Sequence, residues 1–303
     1  MNDLSPSTSY RSQRSQCLTS CVAAFVMLLA SASTPALAAG CHCHGHDKAE
    51  DAAGSSVSVT LGTDVATQYF FRGIFQEDDG LIVQPYIELG SNLFSGDGVV
   101  TSVDWTVGTW HSLHDQHTGT DDNGPDAWYE ADSYVGLSAA LEGNWSVDVT
   151  YTWYNSPNSA FDDVQEIGVA LSLDDSESLG LAPSVAVRFE TDRAADGVNS
   201  GIQLEFGIEP DLTPFPNWEA ISVSLPLTVG LSLDDYYQSP VTADDETFGY
   251  LELGIKLSTT IAERWSVFAG PYFLFLGDST EQFNDGEDNG FEVIGKFGVS
   301  ISF

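Results

Sequence analysis

Apolar and polar residues alternate along most of this chain, and this alternation constrains the fold more than any other feature. In SVSVTLGTDVATQ (56–68), Val57, Val59, Leu61 and Val65 are separated by polar or small residues. Successive side chains of a β-strand point to opposite faces, so such a segment has one apolar and one polar face. The run is longer than the roughly four to eight residues typical of a half-buried strand in a soluble sheet. The folded part of the chain is therefore expected to begin with a long strand.

The same alternation recurs to the C-terminus and predicts about twelve strands, an even number. Short turns follow the second, fourth and tenth segments, whereas longer or more acidic links follow the first, third, seventh, ninth and eleventh. Short turns at one end and long loops at the other are typical of a transmembrane barrel of up-and-down strands. The segments after the first are 83–93, 99–111, 129–141, 145–153, 165–173, 181–191, 202–208, 221–233, 251–259, 265–275 and 291–303.

Charged side chains in these segments fall almost entirely on the polar face. In a soluble barrel this face would meet water, whereas in an outer-membrane barrel it faces the lumen and the apolar face meets lipid. The periodicity fits both, so a secreted β-sandwich or lectin-like domain is the soluble alternative. In the membrane interpretation, the charged residues that line the pore are Asp64, Arg72, Glu88, Asp104, Glu130, Asp132, Asp148, Glu166, Arg188, Glu190, Glu205, Glu252, Lys256, Glu292 and Lys296.

Three further features favour the membrane barrel. Glycine recurs on the polar face of nearly every segment, which suits a narrow interior crowded with side chains. Aromatic residues cluster near segment ends, where their amphipathic rings suit the membrane interfaces. The last segment ends in Phe303 and resembles the C-terminal signature that outer-membrane barrels present to their assembly machinery. We predict an all-β fold, a transmembrane antiparallel up-and-down β-barrel of about 12 strands over residues 56–303.

Four prolines argue against this fold. Pro85, Pro183, Pro226 and Pro271 fall inside predicted strands, where each removes one hydrogen-bond donor from the ladder. A closed barrel has no free edge on which to place them. Bulges or different strand boundaries would reconcile these residues with a barrel.

The N-terminus has the three parts of a secretory signal peptide. Arg11 and Arg14 precede the apolar run VAAFVMLLA (22–30), and ALA (36–38) is a small-x-small cleavage site. The run is too short for a membrane anchor, since a spanning helix needs about 20 apolar residues. We predict a signal peptide over 1–38, a periplasmic polar linker over 39–55 and a location in the outer membrane of a Gram-negative bacterium.

The linker contains a cluster of thiols and imidazoles. These groups bind Cu(I) or Zn(II), so a copper or zinc site is one interpretation. The spacing is not that of a structural zinc site, which uses two separated pairs of ligands, and a polar tail without metal is the second interpretation. Lipidation of the first cysteine is the third, although Leu37 lies one position too early for a good lipobox. The residues of this cluster are Cys41, His42, Cys43, His44 and His46.

The end of the first segment carries a motif with a known counterpart. QYFFRGIFQ (68–76) resembles the Y-x-F-R-G-I-x-Q motif of the TorF family, a family of porin-like proteins. VGTW (107–110) and EADSYVG (130–136) are similar to further segments of that family. The resemblance covers the first part of the mature chain and implies an outer-membrane channel without naming its solute.

The charge balance indicates which solutes such a channel would favour. The chain has 9 Lys+Arg against 45 Asp+Glu, a formal net charge of -36 at pH 7. It should repel nucleic acid and attract cations. Inward carboxylates outnumber inward bases by roughly twelve to four, as acidic rings do in cation channels. We predict a porin-like channel for passive diffusion of small, preferentially cationic solutes. Because side chains can fill a narrow barrel, a non-conducting structural or adhesive barrel with acidic cation-binding loops is the alternative.

Two groups of residues have competing interpretations. Arg72 could pair with a lumen carboxylate or bind an anionic solute. Acidic loop segments such as EDDG, DDNGPD, ADDET and NDGEDNG offer oxygen ligands for Ca²⁺ but lack the full EF-hand pattern. A solvated acidic surface is the alternative to a calcium site.

No enzyme activity and no required cofactor are predicted. The histidines at 111, 114 and 117 do not share a face of a strand, and we interpret them as loop histidines. Ser112, His111 and Asp115 cannot form a triad by proximity in sequence, because adjacent strand residues point to opposite faces. The sequence also lacks a glycine-framed nucleophile, a P-loop and a dinucleotide fingerprint.

Overall fold

The computed structural model describes residues 57–118, 127–212, 221–239, 241–284 and 289–303. The predicted signal peptide (1–38) and linker (39–55), with its Cys-His cluster, lie outside the described residues. No helix in the described ranges is long and apolar enough to span a membrane. The elements are β1 (Ser58–Ala66), β2 (Tyr69–Phe71), β3 (Ile74–Glu77), β4 (Ile82–Ser95), β5 (Val100–His114), β6 (Trp128–Leu141), β7 (Trp145–Asn155), β8 (Val164–Leu173), β9 (Ser184–Asp192), β10 (Ile202–Ile208), β11 (Asp211–Leu212), β12 (Ser222–Ser224), β13 (Leu227–Asp234), β14 (Phe248–Gly254), β15 (Lys256–Ile261), β16 (Trp265–Leu276), α1 (Asp278–Glu281) and β17 (Phe291–Ser302).

The main sheet closes on itself. Strand β1 pairs antiparallel with β4 on one side and with β17 on the other, so Leu61 lies opposite both Ile87 and Ile301. Strand β16 pairs with β17 and with both β14 and β15, which are two halves of one barrel strand interrupted at Ile255. The result is a closed antiparallel barrel of 12 strands. This confirms the predicted fold class.

The apolar face of the alternation points outward. In β6, Val135 and Leu137 are 50% and 51% exposed, whereas Glu130 and Asp132 are buried. A soluble barrel would bury its apolar face, so this orientation excludes the soluble alternative. Trp145, at a strand end, is also exposed, as expected for a ring at the membrane interface.

The prolines coincide in part with interruptions of the strands. Pro183 precedes β9, and Pro226 lies in the break between β12 and β13. Pro271 remains inside β16, where its carbonyl accepts a hydrogen bond at 3.0 Å from the N–H of Ile255, in the break of the neighbouring strand. Pro85 remains inside β4. Strand boundaries explain two of the four prolines, and the break at Ile255 lies directly beside a third.

The segment after β1 differs from the sequence-based expectation. Alternation predicts a first strand that runs to Gln68 and into YFFRG, but β1 ends at Ala66. The chain then forms a separate two-stranded hairpin of β2 and β3, in whose turn Arg72 and Gly73 have φ of 52° and 87°. Two consecutive left-handed residues are the geometry of a tight hairpin turn, which glycine favours.

This hairpin packs against the inner wall of the barrel. Tyr69, Phe70, Phe71 and Ile74 are each 7% exposed or less, and Phe70 and Ile74 belong to one apolar cluster with Tyr236. Consecutive aromatic side chains cannot all point to one face of a barrel strand, whereas an element surrounded by protein buries both of its faces. We call residues 69–77 the inner hairpin.

Candidate functional site in the barrel lumen

Arg72, in the turn of the inner hairpin, is a fully buried charge inside the barrel. Its side chain is fully shielded and forms a bidentate pair with Glu166 on β8, with Nη1–Oε2 at 2.5 Å and Nη2–Oε1 at 2.8 Å. Paired N–H···O bonds fix both distance and orientation. Of the two sequence-based interpretations, the structure thus supports the structural ion pair.

Three phenols complete the surroundings of Arg72. Its guanidinium donates to the hydroxyl oxygens of Tyr236 at 2.6 Å and Tyr154 at 3.1 Å. The hydroxyl of Tyr237 donates to the backbone carbonyl of Arg72 at 3.1 Å. These contacts join the hairpin turn to β7, β8 and the loop after β13.

A second anchor holds the end of the inner hairpin. Glu77 accepts hydrogen bonds from the Thr118 hydroxyl and from the backbone N–H of Asp78 at 3.0 Å. Thr118 also bonds to Nδ1 of His114 at 2.7 Å, and Nε2 of His114 bonds to Ser112 at 2.8 Å. The hairpin is therefore fixed to the wall at its turn and at its exit.

Each of the four basic residues inside the barrel has a carboxylate partner. The paired side chains are 12% exposed or less. Breaking such a pair leaves an uncompensated buried charge, which is strongly unfavourable. Besides Arg72 with Glu166, the pairs are Arg188 with Glu205 at 3.0 Å, Lys256 with Glu209 at 2.9 Å and Lys296 with Glu252 at 3.0 Å.

The other inward carboxylates lack a basic partner among the described residues. Two of them serve the loops: Glu190 accepts the backbone N–H groups of Ala195 at 2.6 Å and Gly201 at 2.8 Å, and Glu292 accepts the Asn284 amide at 2.8 Å. The rest form no salt bridge with a described Lys or Arg side chain. They are Asp64, Glu88, Asp104, Glu130, Asp132 and Asp148.

Inward glycines make room for tyrosine rings. A Cβ built on Gly254 would lie 2.6 Å from Cε1 of Tyr272 and 2.7 Å from Cγ of Pro226. These distances are shorter than van der Waals contact, so only glycine fits there without a shift. The crowded interior that the glycine pattern predicts is present at this position.

The charged residues predicted to line the pore lie on the inward phase of the strands or, for Arg72, in the inner hairpin. That they line an open pore stays a prediction. Sequence reasoning missed the phenols around Arg72 and the Glu77–Thr118 contact. The available signal was the run Tyr69, Phe70 and Phe71, which breaks the alternation.

The interpretation of three loop histidines is wrong for two of them, because His111 and His114 lie in strand β5 and His117 follows it. His111 is on the outward phase and accepts a hydrogen bond from the indole of Trp128 at 3.3 Å, whereas His114 is buried inside. His117 is exposed. The residues thus do not form a cluster.

No group of three His, Cys, Asp or Glu side chains in the described ranges is placed to hold a metal ion. The predicted copper or zinc cluster (41–46) lies outside these ranges, as do parts of the acidic loops at 121–126 and 285–288. Both metal predictions remain untested.

A closed barrel with an apolar outer face and a charged interior fits a lipid environment, because every strand is paired and the exposed side chains are those that hydrocarbon accepts. A closed antiparallel barrel with an apolar outer face is the architecture of an outer-membrane protein. The protein is an outer-membrane β-barrel.

No protein-family model matches the sequence, and no curated protein matches it. Among solved structures, the chain is similar to the NanC porin, with 12% identity, a TM-score of 0.43, and coverage of 81% of this chain and 99% of that chain. It is similar to an outer-membrane channel from Pseudomonas putida F1, with 9% identity, a TM-score of 0.47, and coverage of 86% and 100%. For the KdgM porin the values are 9%, 0.40, 81% and 99%. The resemblance to the TorF family stays a prediction.

Proposed function

We propose that this barrel is a passive channel for small solutes and that it favours cations. The observation that carries the proposal is the state of the charges inside the barrel. All four bases are neutralised by carboxylates, while six lumen carboxylates have no basic partner among the described residues. An excess of fixed negative charge attracts cations and repels anions.

Unpaired polar atoms support a hydrated lumen. Asp64, Asp132 and Asp148 each have a buried carboxylate oxygen without a hydrogen-bond partner among the described residues. Nε2 of Gln84 is likewise buried without a partner there. Buried polar groups in proteins are almost always hydrogen-bonded, and water provides the bonds that the protein does not. A water-filled path past these groups is the simplest way to satisfy them.

The inner hairpin limits the size of the solute. It occupies part of the cross-section that the barrel wall encloses, and it is held at both Arg72 and Glu77. We therefore place the constriction of the channel at the hairpin and expect a small conductance.

Swelling of proteoliposomes tests this function. Arginine, glutamine and glutamate have similar sizes and differ in charge. We expect arginine to enter fastest and glutamate slowest, without an energy source, because passive diffusion past carboxylates is charge-selective. Protein-free liposomes are the control. Equal rates for arginine and glutamate would contradict the cation preference.

A non-conducting structural or adhesive barrel is the second candidate. The inner hairpin and the buried tyrosines packed against it favour a non-conducting barrel, because they fill space in the lumen. The folded state is checked by a shift in SDS gel mobility on boiling. A barrel that shows this shift and admits none of the three solutes would support the second candidate.

A further inference from the structure

The charges inside the barrel are divided between two sides. Between Arg72 and Arg188 the whole sequence contains neither Lys nor Arg, so β4 to β8 carry no basic side chain. The inward faces of β4 to β7 carry several carboxylates that lack a basic partner in the described ranges. We name this set the acidic wall: Glu88, Asp104, Glu130, Asp132 and Asp148.

The other side of the barrel is largely neutralised, although Asp64, Glu190 and Glu292 there have no basic partner in the described ranges. The basic residues of the strands lie on β9, β15 and β17, and each has its carboxylate on the same side. We name this set the paired wall: Arg188 with Glu205, Lys256 with Glu209, and Lys296 with Glu252. The negative field of the lumen therefore originates mainly from the acidic wall.

The acidic wall extends along the barrel axis. Glu130 and Asp132 lie near the start of β6, next to the inner hairpin, and Tyr69 of the hairpin donates to Glu130 at 2.8 Å. Ser138 follows Asp132 by six positions along β6 and lies opposite both Asp104 and Asp148. Six residues of a strand span about 20 Å. Carboxylates are thus available from the constriction to the other end of the lumen.

Unpaired atoms mark this wall as a place for mobile cations. Asp132 is only 3% exposed, and its Oδ1 has no partner among the described residues, as is also true of Oδ1 of Asp148. Gln84 on β4 is 4% exposed, and its Nε2 likewise has no partner there. A buried carboxylate that keeps its charge needs a cation or hydrogen-bond donors to compensate it. Strands β4 to β7 carry no basic side chain, so along most of this wall cations from solution can take that place.

We propose that small cations cross the lumen along the acidic wall, passing from carboxylate to carboxylate, and that the paired wall contributes little to selectivity. This inference rests on the proposed channel function and adds the path and the residues that determine selectivity. The cation class is alkali-metal ions and small ammonium compounds. Their single charge allows them to leave each site as readily as they enter it.

Reversal potentials in a KCl gradient test the path. The variant Asp104→Asn/Asp148→Asn removes two charges from the acidic wall, and we expect it to lower the K⁺/Cl⁻ permeability ratio by about threefold or more. The charge-matched control is Glu190→Gln/Glu292→Gln, which removes two inward carboxylates outside the acidic wall. We expect less than half of that effect from the control. A third variant, Glu252→Gln/Lys296→Met, removes one ion pair without changing net charge and should leave the ratio unchanged.

Each outcome has a distinct meaning. Asp104→Asn/Asp148→Asn and Glu190→Gln/Glu292→Gln each remove two charges. If they lower the K⁺/Cl⁻ permeability ratio equally, selectivity depends on net charge alone and the acidic wall is not the path. If Asp104→Asn/Asp148→Asn does not fold, the single variants Glu88→Gln and Asp104→Asn give the same comparison, and a ratio unchanged in both overturns the inference. A folded wild-type barrel that passes no current overturns the proposed function itself.

Discussion

At the residue scale, Arg72 shows what the sequence can and cannot predict. Its position in YFFRG and the polar phase predict an inward guanidinium. The partner Glu166 is 94 positions away and on a strand that is not a neighbour of β1. Alternation assigns faces but says nothing about contacts across a lumen, so this pair could not be found without the structure.

Removal of the Arg72 charge should release the inner hairpin. In Arg72→Met, Glu166 stays buried without its partner, and loss of such a pair costs about 3–5 kcal/mol. We expect a larger single-channel conductance, because the hairpin no longer keeps its place in the lumen. Arg193→Met is the control, since Arg193 pairs with Asp162 at the surface, where the two side chains are 51% and 86% exposed. A folded Arg72→Met channel with wild-type conductance would argue against the hairpin as the constriction.

Gly254 tests the crowding of the interior. Gly254→Ala places a Cβ against Tyr272 and Pro226, and overpacking of this kind costs about 1–3 kcal/mol. We expect a lower urea midpoint of unfolding in detergent, followed by tryptophan fluorescence. Gly168→Ala is the matched control, because its nearest neighbour would be Cγ of Arg188 at an ordinary 3.8 Å. Equal midpoints in the two variants would contradict the close packing at Gly254.

At the scale of elements, alternation predicts strands well where one face meets lipid and the other the lumen. The segment predicted at 202–208 is strand β10 (Ile202–Ile208), and most other boundaries differ by a few residues. Alternation does not predict the inner hairpin, because both faces of the hairpin are buried. It also does not predict the strand breaks at Pro226 and Ile255, since apolar residues continue at every second position through both breaks.

Asp196 links two loops and should make their stability depend on pH. Its carboxylate accepts the backbone N–H groups of Val198 at 2.8 Å, within its own loop, and of Gln238 at 2.9 Å, in the loop after β13. Burial, the largest cause, raises the pKa of Asp196 from 3.8 to about 6, although these N–H donors act in the opposite direction. The folded state therefore holds the proton more tightly than the unfolded state.

The sign of the effect follows from this difference. Relative to Asp196→Asn, the unfolding free energy of the wild type should fall as the pH rises from about 4 to about 6 and stay level above that range. Urea midpoints of both proteins at pH 4, 5, 6 and 7 measure it, with the exposed Asp162→Asn as the control. A constant difference between wild type and Asp196→Asn across this range would contradict the raised pKa.

At the scale of the whole molecule, the closure and orientation of the sheet determine whether the barrel is soluble or lies in a membrane. The same period fits a soluble or a membrane barrel, and the exposed Val135 and Leu137 opposite the buried Glu130 and Asp132 distinguish them. The net charge of -36 indicates a preference for cations, but only the structure shows that the lumen bases are paired. The carboxylates without a basic partner are the reason why we propose that the channel prefers cations to anions.

The current through single refolded barrels in a planar bilayer under a KCl gradient tests the cation preference of the lumen directly. Folding is first verified by the gel-mobility shift on boiling. We expect small discrete current steps and a reversal potential close to the K⁺ equilibrium potential, because carboxylates without a basic partner dominate the lumen. A reversal potential close to the Cl⁻ equilibrium potential, or the absence of current from folded protein, would contradict a cation-favouring channel.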